Sequence, residues 1–88
     1  MEIRSGSIGW AAGTAGVTVT LTPTVDEPYS VVVQPTNTAG YSPIDEPTYF
    51  NVLKETSAKF EVQHKKTRDG TPVNLDVNVT LKWILVTH

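Results

Sequence analysis

The chain has 88 residues and no cysteine, with seven Lys and Arg set against nine Asp and Glu, so it is one small domain with neither a disulfide nor a thiolate metal site. This near-neutral balance supplies no basic face for nucleic acid, and no apolar run approaches the ~20 residues of a membrane-spanning helix, so neither partner is expected. A chain of this size buries only about 60–65% of its unfolded surface, and small domains without staples gain the missing burial by self-association.

The dominant period is two. A first strand is predicted near residues 2–9, where Met1-Glu2-Ile3-Arg4-Ser5 lacks the regions of a signal peptide. Residues 5–16 are, apart from Ile8, Gly, Ser, Ala and Thr around Trp10, a composition for a loop or a glycine-rich edge. Val17, Val19 and Leu21 alternate with Thr18, Thr20 and Thr22, predicting a half-buried strand over 17–23. Further strands are predicted over 29–37 and 48–55, then a turn at "KETSAK", then a strand over 58–66 in which Phe60 and Val62 alternate with Lys59, Glu61 and Gln63. The last stretch, 73–87, is too long for one straight strand, so a bulge or bend is expected within it. Past Lys82 its polar face also turns apolar, at Ile84 and Val86, and that end must be covered on both sides. Six strands with Gly and Pro turns and no helical period predict an all-β, six-stranded antiparallel β-sandwich over residues 1–88. Trp83 is expected in its core.

"TVDEPYSVVV" at 24–33 returns nineteen positions later as "PIDEPTYFNV". Asp26-Glu27 and Asp45-Glu46 would make a split acidic site, or they are turn formers ahead of Pro28 and Pro47, each just before an apolar strand. Proline cannot donate to a ladder and belongs at strand starts, and Asp carboxylates accept backbone N–H groups in turns. Punctuation accounts for both copies and their positions, so no metal is expected.

Catalysis by a nucleophile needs a base in reach and an orienting third group. The only imidazoles are the terminal His88 and His64, which continues the register of Phe60 and Val62 and is expected at the rim. Both acid pairs lie in turns, without the apolar surroundings that would separate their protonation states. No enzymatic activity and no cofactor are expected. The basic stretch "HKKTRDGT" at 64–71 is a hairpin tip turning at Asp69-Gly70, and binding residues concentrate on such loops. Tyr41 beside Asn37 offers stacking and amide contacts of the kind saccharides use. The candidate ligand-binding residues are therefore Asn37, Tyr41, His64, Lys65, Lys66 and Arg68.

"RSGSIGW", "VTVTLTP", "PYSVVV", "YFNVLKETSAKFEV" and "VTLKWILV" follow one another in this order along nearly the whole chain. The series resembles the H-type lectin fold family and the similar C-terminal tip domains of bacteriophage tail fibres. The resemblance implies a parallel homotrimer, with Ile84 and Val86 at its interface, forming the C-terminal tip of a longer fibre chain. It also implies a virion protein that acts outside the cell and recognises a host cell-surface glycan. The alternatives are a structural collar, decoration or baseplate domain of a virion, or a stand-alone lectin. The family's acidic loop after the first strand is replaced here by "AAGTAG", and its aromatic-plus-His loop by "HKKTRDGT", so no sugar site is transferred residue by residue. The chain also has no His-x-His pair of the kind that binds iron in some fibre tips.

Overall fold

The computed structural model describes residues 1–36, 48–53 and 55–88. Within them the chain forms six strands and no helix: β1 (Ile3–Trp10), β2 (Gly16–Thr20), β3 (Tyr29–Thr36), β4 (Thr48–Leu53), β5 (Lys59–Lys66) and β6 (Val79–Thr87). They make two antiparallel three-stranded sheets, in the orders β1-β6-β3 and β2-β5-β4. Each of the six predicted strands is found, with its ends shifted by a few residues. The largest shift is at the C-terminus, where the alternating stretch from Val73 becomes strand only at Val79.

The bend expected in that stretch has a specific cause. Leu75 is buried and its N–H donates to Thr14 O (2.9 Å), while Gly13 N–H donates back to Leu75 O (2.7 Å). The segment before β6 thereby pairs with the turn ahead of β2 and closes one end of the molecule instead of extending the sheet.

Alternation divides every strand into an inner and an outer face. Val19, Phe60 and Val62 from one sheet share a core with Leu81, Trp83 and Leu85 from the other. The rings of Phe60 and Trp83 meet edge to face, with centroids 5.6 Å apart. The two sheets therefore face each other in a sandwich-like arrangement.

Only β4 and β5 are joined within one sheet; the other connections cross between sheets. In the β2–β3 crossing, Val25 is buried and its N–H donates to Ser57 O, while Asp26, Glu27 and Pro28 stay exposed. This first Asp-Glu-Pro is the lead into β3, as its punctuation role requires. Its twin at 45–47 lies outside the described residues, directly ahead of β4. Arg4 ties β1 to the same crossing: its guanidinium donates to Pro23 O and pairs with Glu2 at 2.7 Å.

Pro35 lies inside β3 and is tolerated there. His88 N–H donates to Pro28 O, which fixes the phase of the β3–β6 ladder so that Ser30, Val32 and Gln34 exchange hydrogen bonds with β6. The nitrogen of Pro35 then faces the free edge, where no donor is needed.

Candidate functional site

Two surfaces and one loop tip carry the features from which function can be argued. The outer face of β1-β6-β3 is set by the cross-strand partners Ser5 and Val32 on either side of Ile84, and Ile3 and Ser30 on either side of Val86. Ile3 is 65%, Val32 71% and Ile84 53% exposed, while Val86 is half-buried among them. The apolar end of the last strand is thus uncovered within a single chain. Small β1 side chains leave a groove of about 450 Å³ along β6, between Ser5 and Ser7 on one wall and Val32 and Gln34 on the other. Among the described residues, Lys82 is the one charged residue lining that groove. At its far corner Ser30 Oγ and His88 Nε2 lie 2.5 Å apart, tying the terminal residue to β3.

The outer face of β2-β5-β4 differs in kind. Across it run the partners Tyr49 and Lys65, then Asn51, Gln63 and Gly16, then Leu53, Glu61 and Thr18. Leu53 apart, it is polar, and among the described residues its exposed aromatic side chain is Tyr49.

The tip between β5 and β6 is a closed turn. Lys66 N–H donates to Thr71 O, Gly70 N–H donates to Lys66 O, and Thr71 N–H donates to Asp69 Oδ1 (3.0 Å). Gly70 has φ +73°, a conformation that costs glycine nothing and other residues a Cβ clash. The Thr71 backbone N–H holds the Asp69 carboxyl below its ordinary 3.8, helped by the Thr71 side chain and the nearby Lys66 charge. Lys65 and Lys66 are half-buried at the strand end and Arg68 is exposed on the tip.

His64 requires a correction. Expected at the rim and proposed to meet a ligand, it is 1% exposed. Its Nδ1 is 3.0 Å from Val73 O, and Phe50 stacks on its ring at 4.9 Å and 24°. The register that aligned it with Phe60 and Val62 carries it into the core, because the 73–75 segment folds over this end of β5. Its ring does not reach the surface. Asn37, Tyr41, Asp45 and Glu46 lie outside the described residues.

Sequence reasoning missed Ile3, Val32 and Tyr49. The first two were legible as partners of the outward Ile84 and Val86 only once the strand order β1-β6-β3 was known. Tyr49 sat inside a predicted strand, and its outward direction followed from alternation with Phe50 and Val52. Comparison of the chain with protein-family models, curated proteins and solved structures finds no match.

Proposed function

We propose that this chain is a non-enzymatic adhesion module, the receptor-binding tip of a phage tail fibre, which assembles as a parallel homotrimer and recognises a host cell-surface glycan. The observation that carries the reading is the uncovered apolar cluster Ile3, Val32, Ile84 and Val86 on one outer face, with Lys82 the one charged residue of the groove beside it among the described residues. Depletion of charge around an apolar centre is the composition of a protein interface core, and a second copy supplies the cover. The ordered sequence resemblance to fibre tips adds support.

Magnitudes limit what this face does alone. Covering one such side chain recovers about 1–2 kcal/mol, so the exposed residues of two copies give roughly 6–12 kcal/mol. Association costs ~4–15 kcal/mol. The face alone therefore supports a concentration-dependent assembly, which a preceding fibre stem would lock. Three sites per assembly, on several fibres per particle, raise avidity by ~10²–10⁴ without new contacts.

Sedimentation equilibrium over a wide concentration range, followed by binding of the labelled protein to intact bacteria, tests the reading. A species of three times the 9.6 kDa chain mass that decorates cells supports it. A trimer that binds only other virion parts makes the domain structural. A monomer at every concentration that decorates no cells overturns it.

A further inference from the structure

We propose that the outer face of β2-β5-β4, centred on Tyr49, is a contact surface for an extended polysaccharide. This rests on the adhesion reading and places its ligand on a sheet face that adjoins the 64–71 tip at Tyr49 and Lys65 and runs from there across the strands.

Four observations converge here. Tyr49 is 39% exposed on a strand whose neighbours Phe50 and Val52 turn inward. An exposed ring fixed on a strand presents an apolar plane and a polar edge to one ligand, which is what a sugar's C–H face and hydroxyls require. Beside it, Gln63 donates from Nε2 to Glu61 Oε1 at 2.9 Å. This bond holds the amide in place, with its carbonyl oxygen left to accept from a hydroxyl. Asn51, the direct partner of Gln63, adds a second planar amide on the same row.

On the opposite side of Gln63 stands Gly16, so this part of the face is bare backbone. A Cβ there would meet Val62 O at 3.4 Å and Gln63 Cγ at 3.5 Å, which any small side chain tolerates. Its φ is not in the left-handed region, so glycine is not demanded by the backbone. The open floor next to the amides is thus a property of the surface, independent of the fold.

The shape selects the ligand class. Among the described residues, the depression on this face is lined by Thr18, Lys59, Phe60 and Glu61 and holds only about 90 Å³. Pockets that enclose a small molecule hold roughly 300–1,000 Å³. A buried monosaccharide does not fit, whereas a chain laid across strands at ~4.8 Å spacing meets the ring and the amides in succession. Lys65 and Glu61 bring both signs of charge, so the surface does not demand a polyanion. Association of copies through the opposite sheet, β1-β6-β3, leaves this face pointing outward, open to the host surface.

The test is an array of purified bacterial surface polysaccharides probed with the intact chain and with Tyr49→Ala, Tyr49→Phe and Gly16→Gln. At least a tenfold loss of binding is expected for Tyr49→Ala. Retention is expected for Tyr49→Phe, which keeps the ring, and a loss for Gly16→Gln, which removes nothing but fills the floor. All three should melt within a few degrees of the parent. Free monosaccharides should not compete. If the parent binds and Tyr49→Ala and Gly16→Gln bind equally well, while Lys66 and Arg68 changed together to Ala abolish binding, the contact lies at the tip. The inference then fails and the adhesion reading stands. A parent that binds no polysaccharide on the array overturns both.

Discussion

Gly6 and Trp83 oppose each other across β1 and β6 so closely that a Cβ on Gly6 would lie 2.6 Å from Trp83 Cζ2 and 2.8 Å from Cε2. The indole cannot retreat cheaply, because its other side meets Phe60 in the core. Glycine is required here by close approach, and the bulky indole uses the space a side chain would take. Gly6→Ala should therefore destabilise the fold by about 1–3 kcal/mol through overpacking. For a domain of this size that lowers the melting temperature by roughly 4–8 °C per kcal/mol. An unchanged melting curve would show that the indole has another comfortable position.

Tyr29 closes the opposite end of β3. Its hydroxyl donates to Thr56 O at 2.7 Å and lies 3.2 Å from Lys59 O, bracing the β4–β5 turn. Burial pushes its phenol above the ordinary 10.0, and the charges of Glu55 and Glu27 push it further. The folded chain then holds this proton more tightly than the unfolded chain. The associated stability is complete below about pH 10 and is lost as pH rises through and beyond that value. Tyr29→Phe should cost about 1–2 kcal/mol at neutral pH, since Thr56 O loses its donor. It should also flatten the alkaline fall in melting temperature. Equal alkaline slopes in the two proteins would remove Tyr29 as the cause.

His64 is a structural residue by its burial, and its substitutions should rank by volume. His64→Ala empties a fully buried ring site against Phe50 and should cost about 2–4 kcal/mol. His64→Phe keeps the stack and removes both Nε2, a buried nitrogen without a hydrogen-bond partner among the described residues, and the Nδ1 contact with Val73 O. It should be milder than the alanine change by urea denaturation, its remaining cost being the hydrogen bond lost at Val73 O. A surface role in adhesion would reverse this pattern: both variants would fold alike and both would lose cell binding.

Asp69 gives the 64–71 turn an acid dependence. With the carboxyl held below 3.8, its contribution is present above that value and is lost as pH falls through the folded-state midpoint. A side-chain NMR titration should place the Asp69 midpoint below 3.8. Asp69→Ala should speed hydrogen exchange at the Thr71 amide, whereas Asp69→Asn, which keeps Oδ1 as acceptor, should not.

Replacing Ile84 by Lys on the outer face of β1-β6-β3 should shift sedimentation towards the single chain. The melting temperature of that chain should stay near the parent's, because the side chain is 53% exposed and packs on little within its own copy. Undiminished association would locate the copy–copy contact elsewhere.

Local pattern alone located the strands. Period-two alternation in "VTVTL", "KFEVQ" and "VTLKWILV" is a property of neighbouring residues, and so is the place of Pro28 just before β3. Burial of Phe60, Val62, Leu81, Trp83 and Leu85 followed from the same alternation, since each strand must hide one face. The pairing of the strands depended on long-range closure. Only the order β1-β6-β3 set Ile3 and Val32 beside the outward Ile84 and Val86, turning two suspicious residues into a continuous apolar surface. Likewise, period two said that His64 shares a side with Val62, but whether that strand end lies at the rim or in the core depends on what folds over it. The 73–75 segment does so by pairing with a turn some sixty residues earlier, a contact that no local periodicity encodes. Alternation fixes the side to which a residue points; only tertiary closure decides whether anything waits there.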